Sequence, residues 1–162
     1  MLMTIICVIV LCALLTLICY LNTGTDLKNI KGYRNYSDEV QAIVRQRPEL
    51  QNHIKEKKGR TVFFSNFIMF GVILFIAGLT FKTNNIAHNI ICLTIVGQSM
   101  NIFDLLVLDL LWFRKTKRVR FSGTEDNDEL YSGMKKLLIS FYKAILMYFL
   151  IAIIDGIILG SI

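Results

Sequence analysis

Four apolar stretches, Leu2 to Leu21, Thr61 to Phe81, Ile86 to Phe113 and Leu137 to Gly160, take up more than half of the chain, and almost every charge falls outside them. A helix rising 1.5 Å per residue needs roughly 20 mostly apolar residues to cross a hydrocarbon layer about 30 Å thick. Each stretch is that long or longer. The expected fold class is therefore all-α, a four-helix transmembrane bundle whose connections carry the charge.

At 162 residues, four spans leave only two connecting segments of any size, 22–60 and 114–136. A separate soluble domain with its own core is not expected at that length, so residues 1–162 read as a single integral membrane domain. The single proline and the positive mean hydropathy agree with a multispan chain and argue against disorder. The first stretch differs from a secretory signal in three ways. No Lys or Arg precedes it, its apolar run is about twice the usual length, and Asn22-Thr23-Gly24-Thr25 is a poor cleavage pattern. It reads as a retained span.

Charge sets the expected orientation. Segment 22–60 carries nine basic residues (Lys28, Lys31, Arg34, Arg45, Arg47, Lys55, Lys57, Lys58 and Arg60) against five acidic ones, and Arg114 to Lys136 carries seven against four. The turn from Lys82 to Asn85 has one. Lys and Arg are retained on the inner side, which places both long connections in the cytoplasm and both termini outside. The same topology explains the net positive charge, and no nucleic-acid partner is expected because no readout module fits. The run Arg114 to Arg120 meets the inner headgroups, either as a topology signal or as a site for anionic lipid, with Arg118 and Arg120 as its candidate residues.

In the first connection, Ser37-Asp38-Glu39 reads as a cap and an acidic first turn, followed by an apolar stripe at Val40, Ile43 and Val44. A second short helix is expected from Pro48 through Leu50 and Ile54 to Lys58, stopped by Gly59. Both are expected on the inner headgroup layer or folded under the spans. In the second connection the basic run is followed at once by Thr124-Glu125-Asp126-Asn127-Asp128-Glu129. One reading is a Thr124 cap on an acidic helix that runs into the fourth span. The other has these carboxylates paired with the basic run in a fixed cytoplasmic plug. Calcium-loop spacing is not met.

The third span is the most polar, with Gly97, Gln98, Ser99, Asn101, Asp104 and Asp109 among its Ile and Leu residues. At 100° per residue Gly97, Asn101 and Asp104 share one face, with Gln98 and Asp109 on a neighbouring one. Counting from the inner ends puts Asn66, Asn101, Asp104, Asp109 and Lys143 roughly 7 to 20 Å below the inner surface. An intramembrane polar cluster of these five is expected, serving either to fix helix register or to bind a cation, proton or polar headgroup. Asp155 and His88 lie toward the outer ends, where snorkelling is the ordinary explanation. Gly71, Ala77 and Gly78 on the second span would allow a close helix crossing. Cys7, Cys12, Cys19 and Cys92 sit in spans without a CxxC spacing, and neither His53 nor His88 has a second ligand nearby, so no metal and no cofactor is expected.

The segment Asn101 to Trp112, followed by Gly123-Thr124-Glu125-Asp126 and Tyr131, resembles a group of small four-span membrane proteins of Gram-positive bacteria. The resemblance implies a bacterial cell membrane and draws interest to Asn101, Asp104, Asp109, Glu125 and Tyr131. It carries no activity over. Three functions fit the residues: a small transporter or channel-like protein in which Asp104 and Asp109 handle protons or cations, dimeric because four helices barely enclose a path; a non-catalytic accessory or scaffold subunit of a membrane complex; and a lipid-modifying enzyme with one Asp as base. No Ser-His, Cys-His or metal signature supports the last.

Overall fold

The computed structural model describes residues 1–54 and 58–162 and is all-α. In chain order its helices are α1 (Leu2–Leu21), α2 (Asp26–Asn29), α3 (Asp38–Arg45), α4 (Pro48–Gln51), α5 (Gly59–Gly78), α6 (Ile86–Phe103) and α7 (Lys135–Ser161). A π-helix, Asp104–Phe113, continues α6 directly. Among the described residues, four helical segments are long and apolar enough to cross a membrane: α1, α5, α6 with its π continuation, and the segment that contains α7. The chain is thus a multi-pass membrane protein. It divides into two compact units, one of Met1–Ala13, Lys57–Phe103 and Phe141–Ile162, the other of Leu14–Glu56 and Asp104–Ser140.

In the first unit, small residues set how closely the helices approach. A Cβ on Gly156 would lie 2.5 Å from Cγ1 of Ile90 and 3.0 Å from its backbone nitrogen, and one on Gly160 would lie 2.5 Å from Cγ1 of Ile86. Gly97 faces Tyr148 in the same way, at 3.0 Å from Cδ1. These three contacts form one α6–α7 seam, and Gly156-Ile157-Ile158-Leu159-Gly160 is a small-xxx-small pattern that lets the backbones meet. On α5, Gly78 abuts Leu159 and Leu93 and Ala77 is buried, whereas Gly71 meets nothing within 4 Å. The tight turn after α5 is held by Asn89, whose side chain donates to the Thr83 carbonyl at 2.7 Å and accepts from its N–H at 2.9 Å.

The second unit has a core of its own. Ile30, Tyr33, Tyr36, Val40, Val44, Leu50, Phe121 and Tyr131 are buried together, with Ile54, Phe113 and Leu130 packed against them. Tyrosine and phenylalanine supply what short segments need for such a cluster: much apolar area per residue. Helix α3 forms as read, with Ser37 accepting from the Val40 N–H, and its Val40 and Val44 stripe packs into this core.

Two expectations are corrected. Gly59 does not stop a preceding helix but opens α5, whose first turn closes from the Val62 N–H to the Lys58 carbonyl at 3.2 Å. The helix expected from Pro48 to Lys58 appears as α4, and its extension crosses residues 55–57, which lie outside the described residues. Thr124 does not cap an acidic helix: its hydroxyl donates to the Phe121 carbonyl at 2.7 Å, and α7 begins only at Lys135.

The seam yields a direct test. Gly156→Ala forces a methyl against the Ile90 backbone and is expected to destabilise the protein by about 1 to 3 kcal/mol, while Gly71→Ala, with open space around it, leaves stability equal or slightly raised. Thermal unfolding of the two variants in one detergent compares them.

Candidate functional site

Two of the expected site residues, Asp104 and Asp109, fall in the second unit on the π-helix. Five residues of α-helix would set them about 140° apart around the axis, but a π turn, at roughly 80° per residue, brings them to within about 50°. The α period assumed from the sequence does not hold over this segment, and ideal π geometry would set the two carboxylates near one side of it. They are close enough to feel each other's charge, and Arg114 acts on Asp109. Cys19, near the end of α1, is within electrostatic reach of both. Asp104 is exposed and Asp109 half-buried, so the pair can be reached from outside the chain. π-Helix is rare, and it occurs mostly as single-turn bulges that are frequent at functional sites; ten residues of it is a long run.

The end of α1 is closed by the chain itself. The guanidinium of Arg118 stacks 4.0 Å from the centre of the Tyr20 ring and donates to the Tyr20 carbonyl at 3.1 Å. A cation at a helix C-terminus complements the exposed carbonyls there. Gly24, at φ 109°, turns the chain beside that guanidinium, where a Cβ would lie 2.8 Å from Cζ. Asn29, buried to 2 % exposure, then donates to the carbonyls of Arg118 (3.2 Å) and Arg120 (3.1 Å) while accepting from the Gly24 N–H at 3.2 Å.

Arg120 is buried as well. Its guanidinium donates to the carbonyls of Glu125 and Arg114, pairs with Asp128 at 2.6 Å, and lies 5.3 Å from the centre of the Tyr131 ring. Glu125 thus enters through its backbone. The Tyr131 hydroxyl accepts from the Phe121 N–H at 3.0 Å and lies 2.7 Å from that of Thr124. Because the single Thr124 proton goes to the Phe121 carbonyl, Tyr131 is the donor to Thr124. The acidic run does pair with the basic one, through Lys117–Asp126 and Arg120–Asp128, each at 2.6 Å. Lys136 and Asp38 form a further ion pair at 2.6 Å. Hydrogen bonding to Lys136 and its charge hold the Asp38 carboxyl below its ordinary range; in the same way Asp126 is lowered and its partner Lys117 raised. These exposed pairs contribute little to stability.

The remaining expected residues belong to the first unit. Asn101 is buried and donates to the Phe141 carbonyl at 3.4 Å, and Gln98 donates to the Ile145 carbonyl at 3.0 Å, so both amides bind α6 to the backbone of α7. Asn66 and Lys143 are exposed. Asp155 does not snorkel: it is 7 % exposed, because its short side chain sits on the packed face of α7. Sequence reasoning missed Asn29 and Tyr36 altogether, since an amide and a phenol between charged residues give no periodic signal. Gly156 and Gly160 were missed too, although their small-xxx-small spacing is the signal that points to the seam.

No family model, no curated protein and no solved structure matches this chain.

Tyr36 gives the second unit a pH limit. Its hydroxyl donates to the Val119 carbonyl at 2.7 Å, which only the neutral phenol can do. Burial first, then the neighbouring Tyr131 and Asp26, hold that phenol above its ordinary value. A raised folded value means that this contribution is fully present below the unfolded value, about 10, and is lost as pH rises above it. In an alkaline absorbance titration Tyr36→Phe is expected to remove a late-ionising tyrosine and move alkaline unfolding to higher pH. At neutral pH it costs on the order of 1 kcal/mol.

Proposed function

We propose that this is a protein of a bacterial cell membrane, with both termini outside and its long connections in the cytoplasm, that moves protons or cations by way of Asp104 and Asp109. One observation supports the reading: a π-helical stretch inside a candidate span carries two carboxylates, which ideal π geometry sets near one side. A charged carboxylate at mid-bilayer costs about 2.5 to 3.5 kcal/mol on insertion scales, so a pair of them at this depth needs water, a proton or a cation. Four helices barely enclose a path, and a homodimer supplies the rest of the wall. Inner-face basic residues hold anionic headgroups around it.

Reconstitution in liposomes tests this. The parent protein is expected to dissipate an imposed proton or alkali-cation gradient faster than empty vesicles, and Asp104→Asn and Asp109→Asn each to slow it at least about tenfold, the scale of removing 1.4 kcal/mol. No flux in the parent, or unchanged flux in both variants, sinks the reading.

A second reading, the accessory subunit, is favoured by the buried core of the second unit, which joins residues of both long connections. A stoichiometric second protein retained through purification from native membranes supports it, and its loss on Phe121→Ala, which empties that core, ties the partner to this unit.

A further inference from the structure

Asp155 is the one acidic residue of α7, and it lies on the most tightly packed face of that helix. One turn before it comes Ile151 and one turn after it Leu159, exposed by only 1 % each. Its neighbour Gly156 touches the backbone of Ile90, and Leu159 lies against Gly78 and Leu93. Asp155 itself is 7 % exposed, and its Oδ2 has no hydrogen-bond partner among the described residues. A buried polar atom left without a partner costs about 1 to 3 kcal/mol, more when it is charged, and native structures keep such atoms rarely.

Among the described residues, no ion pair reaches Asp155. From α6, Ile90 meets α7 at Gly156 and Ile86 meets it at Gly160. The titratable groups of α6, His88 and Cys92, lie about half a helical turn away from Ile90 around the axis and contact each other, Sγ to Nε2 at 3.6 Å. From α5 the facing residue is Gly78, and the basic residue of that helix, Arg60, lies at its other end. On α1 the titratable groups in this unit are Cys7, bonded to Thr80 at 3.4 Å, and Cys12, and the cations nearest these helix ends, the Met1 amine before α1 and Lys82 between α5 and α6, form no ion pair with Asp155. Lys143 is three turns back along α7.

We propose that Asp155 is a proton-binding site, a carboxyl that carries its proton in the closed α6–α7 seam. A neutral carboxylic acid is the form that an apolar pocket without an ion pair accepts, because isolated charge there is far more expensive than an isolated O–H. Loss of the proton leaves an anion that must be hydrated or paired, and at Gly156 there is no room for water while the two backbones touch. Release of the proton therefore requires α7 to part from α6. Proton occupancy and helix packing are coupled at this one residue. The coupling is separate from the Asp104 and Asp109 reading and holds whether or not those residues carry flux.

Infrared spectroscopy of the protein in liposomes tests the assignment, since a protonated carboxyl shows a C=O stretch resolved from ionised carboxylates and from the amide bands. The Asp104→Asn/Asp109→Asn double variant is expected to keep such a band at neutral pH, and adding Asp155→Asn to remove it. A double variant without the band at neutral pH overturns the proposal whether or not any Asp155 variant folds. A band that survives Asp155→Asn overturns it too. Gly156→Leu, which wedges the seam open, is expected to move the disappearance of the band to lower pH; an unmoved titration refutes the coupling.

Discussion

A guanidinium withdrawn from water is tolerated only if acceptors surround it, and Arg120 finds two backbone carbonyls and a carboxylate within its own unit. Those acceptors are spread over the end of the π-helix and the acidic loop, so burying one side chain fixes the course of the chain from Arg114 to Asp128. The Asn29 amide does the matching work from the other connection by bonding the carbonyls on either side of Val119. Aromatic rings then fill the space these polar contacts leave, with Tyr36 lying 5.2 Å from Phe113 and 5.0 Å from Phe121. The hydrogen bonds choose the geometry and the rings supply the driving force.

The same requirement acts differently in the first unit, where apolar area is plentiful. There, small residues and amides decide which surfaces meet. Glycine at 156 and 160 lets α6 and α7 approach to backbone contact, Gly97 makes room for the Tyr148 ring, and Gln98 and Asn101 bond across to carbonyls of α7. Asp155 stands out against this background, since it is a buried acidic residue among apolar neighbours and has an oxygen to which no described residue offers a hydrogen.

The functional reading joins these two observations on acidic groups. Asp104 and Asp109 lie on a segment of changed helical winding, and Asp155 is enclosed by close packing. Each is a carboxyl within a candidate span, where a bare anion is costly. On the proposed reading the pair meets that cost by access from outside and Asp155 meets it by keeping a proton, and the accessory reading uses neither.

The four spans, their positions to within a few residues and the helical class were legible in the sequence, because hydrophobic run length is a local property and the helix satisfies its own backbone. The Ser37 cap with its Val40 and Val44 stripe was legible for the same reason. The aromatic core was not, since Tyr36, Phe121 and Tyr131 come from distant segments and no periodicity joins them. The π winding also escaped, because the α period assumed along the third span sets Asp109 on another face from Asp104. The sequence by itself determined where the chain meets apolar surroundings and which residues carry charge there. Only the tertiary structure decided which of those charges are paired, exposed or sealed, because that depends on neighbours remote along the chain.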